Sequence, residues 1–286
     1  MNSSAIKNSQ IRFGLVSFAA VSLLFALNAC TVKRVPIESG TIPKLAAPSP
    51  GAESFGKQLF QKLRTDYDLV TGKPEHAKVV EVFNQLTKAA EVDHLPWHIY
   101  LLNGSEIVDI RAVHGNYIFV WTGVLEAVEN DDEFAGLLAY ELSHTLAHHT
   151  DPVEFTLASD VFFNVAELAT TFGLLVASQG MVAISGSGWM KWAYVEVADL
   201  DPLDRQYSDE LEYEAAEVAL LIISRTQYSP QALPNFWKRV AADESLNDKY
   251  ERLIRSRPPR ERAAMMEQLI LKSSEGNNRL AKKPIQ

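Results

Sequence analysis

The stretch Glu133–Asp151, EFAGLLAYELSHTLAHHTD, decides how the rest of the chain is read. Leu137, Leu138, Leu142 and Leu146 recur at helical spacing, which predicts one buried helix. Asn130, Asp131 and Asp132 stand before it as N-caps, and Asp151-Pro152 closes it. Inside lies Tyr140-Glu141-Leu142-Ser143-His144, the pattern H-E-x-x-H with tyrosine where the first histidine belongs. That pattern works because positions i and i+4 share a helix face. Two imidazoles then grip one zinc, and the glutamate beside the first acts as general base on the zinc-bound water. Glu141 and His144 are present; the first imidazole is not. What Tyr140 does in its place is the functional question.

With 286 residues, 47% apolar and 22% charged, the composition is that of a globular protein of one large or two modest domains. Residues 1–29 read as a secretory signal. Lys7 and Arg12, with no acidic residue, precede an apolar run from Phe13 to Leu27, which at about 15 residues is short for a bilayer span. It ends in Leu27-Asn28-Ala29-Cys30, which resembles a bacterial lipobox, so Cys30 is the expected lipidation site. A cysteine bearing a diacylglycerol and an amide-linked acyl chain anchors firmly, whereas one chain binds only marginally. Thr31 follows where aspartate would suggest inner-membrane retention. By resemblance the anchor is therefore in the outer membrane, with the domain facing the periplasm. Cys30 is the only cysteine, so no disulfide is expected even in an oxidising compartment. Loss of Lys7 and Arg12 takes the net charge from −9 to −11, which argues against a nucleic-acid partner.

Residues 30–52 hold four prolines and no periodicity, and read as a flexible tether. Two helices are expected between 53 and 92, from Phe55, Leu59, Phe60 and Leu63 and from Val79, Val82, Phe83 and Leu86, with a turn at 71–74. Three strand candidates follow: Trp97–Leu102, Ile107–Ala112 and Tyr117–Trp121. They serve either as core or as an edge to which an extended peptide adds. A short helix over Val124–Val128 precedes the motif helix. The apolar segment Leu168–Ile184 is read as helical packing rather than a membrane span, because it is short and interrupted by polar residues. Gly180, Gly186 and Gly188 suggest a mobile loop. Glu210–Ser224 is strongly helical, Asn235-Phe236-Trp237 lies on a further helix, and a last one runs from about Arg260 to Leu271. Residues 272–286 read as a polar, disordered tail.

Three segments together resemble the HtpX-like and CAAX-prenyl-protease family of zinc metallopeptidases, in its bacterial lipoprotein branch. They are NDDEFAGLLAYELSHTLAHH; Tyr207-Ser208-Asp209-Glu210-Leu211-Glu212-Tyr213-Glu214-Ala215-Ala216, similar to Y-S-x-x-x-E-x-E-A-D; and Arg257-Pro258-Pro259-Arg260-Glu261-Arg262, where the family shows H-P-x-x-x-x-R. The resemblance spans about residues 55–270. It implies an α+β, mostly helical fold of the zincin type, with a small β-sheet beside the motif helix over a domain at 53–271. It also implies that Glu212, on a second helix, is the third ligand of one Zn2+ ion, with Glu214 the nearest competitor. The departures fall at the chemistry: Tyr140 for histidine, Ser143 for glycine, Ala216 for the aspartate, and Arg257 for the histidine before proline.

Tyr140 admits three accounts. A zinc-bound phenolate is one, since a metal lowers a ligand's pKa, although tyrosine lies outside the usual zinc ligands. In the second, the ion sits one turn along between His144 and His148, with His149 as a further donor. In the third, no catalytic metal binds and Tyr140 fills the pocket. Serine, cysteine and aspartic protease readings find no motif. The leading expectation is a lipid-anchored zinc metalloendopeptidase that hydrolyses proteins or peptides of the cell envelope in quality control, with Glu141 as base. The rival is a catalytically inactive pseudopeptidase that binds such proteins as an adaptor.

Overall fold

The computed structural model describes residues 37–151, 153–156, 181–186, 189–194, 207–243, 247–254 and 257–281. The expected signal peptide, Cys30, most of the segment 168–184 and the acidic stretch 199–206 lie outside these residues. The chain divides into two compact units. One comprises residues 36–151 and 203–286, the other 1–35 and 152–202.

The first unit carries the motif helix. Helices α1 (Pro50–Asp66) and α2 (Pro74–Ala89) come first. Strands β1 (His98–Leu102), β2 (Ile110–Val113) and β3 (Tyr117–Trp121) follow. They form one sheet in the order β1-β3-β2, with β1 parallel and β2 antiparallel to β3. A short helix α3 (Thr122–Ala127) leads into α4 (Asp131–Leu146). After the second unit come α5 (Asp209–Ile223), α6 (Ala232–Ala242), α7 (Asn247–Ile254) and α8 (Pro259–Ala281). This is the α+β, mostly helical fold with a small sheet that the resemblance implies.

Side chains alternate across a strand, and β3 uses both faces. Tyr117, Phe119 and Trp121 pack with Leu59 and Leu63 of α1, while Ile118 and Val120 join the main core with α2 and α4. The sheet is therefore sandwiched between helices, and every residue of β2 and β3 is buried. Helix α4 is buried on all sides, which is the condition of a helix at the centre of a domain. Its start is fixed chemically. The Asn130 side chain accepts from the Glu133 N–H at 2.9 Å, and Glu133 reaches back to the Glu129 N–H at 2.9 Å, a capping-box arrangement.

Residues 37–49 are the described part of the expected tether. Ile37, Ile42 and Leu45 pack against the main core, and Glu217 on α5 accepts bonds from the Ser39 hydroxyl at 2.5 Å and the Gly40 N–H at 3.2 Å. At the other end α8 runs ten residues past the Leu271 where the sequence reading stops it.

In the second unit β4 (Val153–Thr156), β5 (Met181–Gly186) and β6 (Trp189–Tyr194) form a sheet in which β5 pairs parallel with β4 and antiparallel with β6. The helix expected over Leu168–Ile184 does not hold at its end: residues 181–184 are strand. Met181–Gly186 pairs antiparallel with Trp189–Tyr194, and apolarity alone does not distinguish such a strand from a helix. Among the described residues no helix is long and apolar enough to cross a membrane.

Candidate functional site

Helices α4 and α5 pack along each other, and the residues singled out in the sequence lie where they meet. Ser208 caps α5, its hydroxyl accepting from the Leu211 N–H, and this sets Glu212 in the first turns of the helix. Tyr140 is buried, and its hydroxyl donates to Glu212 Oε2 and to the Glu212 carbonyl, the latter at 3.2 Å. Tyr140 also stands edge-on to the His144 ring, with centroids 5.2 Å apart. Tyr140, His144 and Glu212 are thus neighbours.

Glu141 is buried too and turns towards the sheet. Its Oε2 accepts from the Ala112 N–H of β2 at 3.0 Å. Burial pushes its carboxyl up to about 8; the Arg111 guanidinium and the Ala112 N–H pull the other way, while Asp109 and Glu212 add to the rise.

The histidines divide. His144 is fully buried and stacks on Tyr207 at 4.0 Å. Its Nδ1 lies 3.0 Å from His149 Nδ1, and His149 Nε2 lies 3.2 Å from Glu214 Oε2. Glu214 therefore faces His149, on a different side of α5 from Glu212. Helix α4 ends at Leu146, and His148 has a left-handed backbone with φ of 58°. Its ring is half-exposed and bonds Asp151 at 2.9 Å. The helix face that carries His144 does not continue to His148, so the two are not an i, i+4 pair on one helix.

Sequence reasoning gave Arg262 no role. Its guanidinium lies 2.9 Å from Glu212 Oε2, donates to the Ile254 carbonyl at 3.0 Å, and rests over the rings of Trp237 at 4.8 Å and Tyr140 at 5.4 Å. The sequence signal for it was the Arg257–Arg262 segment quoted above.

A motif helix buried between a mixed sheet and a second helix that brings a glutamate to it is the build of a zincin-type metallopeptidase. The chain belongs to Peptidase family M48, whose family model matches residues 73–270. It is 21% identical to the beta-barrel assembly-enhancing protease of Escherichia coli over 251 residues, 82% of this chain and 50% of that protein. It is 24% identical over 181 residues to the mitochondrial metalloendopeptidase OMA1 of Saccharomyces cerevisiae, 59% of this chain and 47% of that one. With the metalloendopeptidase OMA1 of Danio rerio it shares 25% over 197 residues, 68% of this chain and 40% of that one. The chain spans about half the length of the curated relatives it matches.

Family members depend on zinc, so the residues here must be tested against that ion. A catalytic zinc needs three protein ligands and an open position. Among the described residues no three His, Cys, Asp or Glu side chains converge to hold a metal. Tyr140 does not make up the number. Burial raises its pKa well above the ordinary 10, Arg262 only partly offsets this, and Glu212 raises it further. Its hydroxyl is turned to Glu212 as a donor. Glu212 Oε1 argues for a metal, being buried with no hydrogen-bond partner among the described residues. Yet the same carboxylate is already paired with a guanidinium. A second cation on that carboxylate would meet the guanidinium's charge, a repulsion of several kcal/mol even at an effective dielectric of about 20. The residues present do not fit the family's zinc.

Proposed function

We propose that this chain is a non-cleaving member of Peptidase family M48, a lipid-anchored protein that binds polypeptides of the cell envelope as an adaptor. The observation that carries this reading is the Tyr140 hydroxyl donating to Glu212, the residue the resemblance makes the third zinc ligand. With the Tyr140 hydroxyl turned to Glu212, His144 is the one imidazole of the motif, and the Glu141 carboxyl is turned to the Ala112 N–H of β2. The binding half of the reading is supported by the retained peptidase fold. The anchor is supported by the Phe13–Leu27 run and Cys30, and the Escherichia coli relative is named for enhancing beta-barrel assembly.

Purified protein decides between this reading and the metalloendopeptidase that the motif resemblance implies. Elemental analysis after dialysis at pH 7.5 is expected to find far less than one zinc per chain. Unfolded casein is expected to be retained on immobilised protein and recovered at full length. Stoichiometric zinc with casein cleavage that Glu141→Gln abolishes would overturn the reading in favour of the enzyme. Casein that is neither retained nor cut would overturn the adaptor role.

A further inference from the structure

A buried carboxylate needs a positive charge or a proton to compensate it. Glu212 is fully buried, and in the family as resembled here a metal supplies that charge. We infer that Arg262 supplies it in this chain, so that an internal guanidinium takes the electrostatic place of the zinc ion. The inference rests on the proposal that the site works without a metal, and it adds the residue that makes this stable.

Three observations converge on Arg262. Its side chain is 2% exposed and that of Glu212 is 0% exposed, so neither charge is relieved by water. The pair is closed by a 2.9 Å ion pair, and the Ile254 carbonyl takes a second guanidinium nitrogen. The planar cation lies over two aromatic faces, Trp237 of α6 and Tyr140 of α4, at 4.8 and 5.4 Å, a geometry that favours a guanidinium over any other cationic side chain.

Together Tyr140 and Arg262 act as a matched pair. The phenol satisfies Glu212 Oε2 with a hydrogen bond and the guanidinium satisfies it with charge, which are the two needs a bound ion would meet at once. Restoring the imidazole alone therefore leaves the carboxylate still claimed.

The test is zinc binding by the wild-type chain, Tyr140→His, Arg262→Gln and the double variant, titrated in a zinc buffer and read by elemental analysis. The double variant is expected to bind about one zinc per chain, and to bind it about 100-fold more tightly than Tyr140→His does. Equal affinity of the two would overturn the inference, because Arg262 would then not compete with the ion. Zinc in the wild-type chain sinks the underlying proposal instead, so the two failures are distinguishable. A second measurement holds if the double variant does not fold. Breaking a buried pair by removing one partner is far more costly than removing both. Arg262→Gln is therefore expected to melt about 10 °C lower than wild type, and Glu212→Gln/Arg262→Gln to recover most of that loss. A Glu212→Gln/Arg262→Gln protein that melts no higher than Arg262→Gln would overturn the inference.

Discussion

The Glu141 carboxylate accepts the Ala112 backbone N–H at 3.0 Å, and so ties the middle of the motif helix to strand β2. Beyond Ala112, the charges that act on it include Arg111, Asp109 and Glu212. The bond satisfies an N–H on an edge strand of the three-stranded sheet, one that would otherwise be buried without a partner.

The consequence is a pH dependence. Burial raises the Glu141 pKa from 4.5 to about 8. Between those values the folded chain keeps a proton that the unfolded chain releases. The stability that Glu141 contributes is thus fully present below about 4.5 and is lost as pH rises through about 8. Glu141→Gln keeps the oxygen that accepts from Ala112 and removes the titration. Its unfolding free energy is expected to equal or exceed that of wild type at pH 9, with the difference several kcal/mol smaller at pH 5. Parallel pH curves for the two proteins would count against a raised Glu141.

The buried histidines provide a second check. His149 joins His144 to Glu214 through ring-to-ring and ring-to-carboxylate contacts of 3.0 and 3.2 Å. His149→Ala removes both contacts at once and leaves a void beside Tyr207. Urea titration is expected to show a loss of about 2–4 kcal/mol. Replacing half-exposed His148 with alanine is expected to cost under about 1 kcal/mol. Equal losses would mean that His149 is not the structural member of the pair.

Much of this was legible from local pattern. The Leu137–Leu146 spacing, the polar run Asn130–Asp132 before it and the strand candidate Tyr117–Trp121 each act within a few residues, and the elements they predict are present. The end of α4 was not legible, because Ala147 and His148 continue a helical composition and only the left-handed backbone at His148 closes it. Nor was the assignment of charges. Glu141 finds Ala112 29 residues earlier, and Tyr140 finds Glu212 72 residues later. Such partners depend on how helices pack, which no periodicity encodes. The family resemblance named Glu212 and quoted Arg262, yet it could not say that one neutralises the other.

Gly123 tests the junction between β3 and the helices. It follows Trp121 at the start of α3, and its N–H bonds the Gly104 carbonyl at 3.1 Å. A methyl group there would collide with the backbone carbonyl oxygens of Ile107 and Ser105, the latter at 2.6 Å. Backbone cannot swing aside as a side chain does. Gly123→Ala is expected to cost about 1–3 kcal/mol, measured by thermal or urea unfolding. No loss would show that the Gly104–Ile107 loop moves freely away from the helix.

Asp151 is shared by two imidazoles, His114 Nδ1 at 3.0 Å and His148 Nδ1 at 2.9 Å. Burial by itself would raise its pKa, but the hydrogen bonds from His114 and His148 hold it well below the ordinary 3.8. In return the bond to Asp151 raises His148 above 6.5, against a smaller opposing effect of burial. The signs differ. The depressed carboxyl contributes stability present above about 3.8 and lost as pH falls through its folded value. The raised imidazole contributes stability present below about 6.5 and lost as pH rises through its folded value. The cluster therefore stabilises most between about pH 4 and 6.5, the acidic side of neutrality. Asp151 and His148 are 42% and 54% exposed, so solvent screens the pair and the gain is at most about 1 kcal/mol. Asp151→Asn keeps one acceptor oxygen and loses the charge. Its melting temperature is expected to fall below wild type most at pH 5.5 and least at pH 9, measured in the same buffer series. A deficit that is constant across that range would show a role for Asp151 in packing alone.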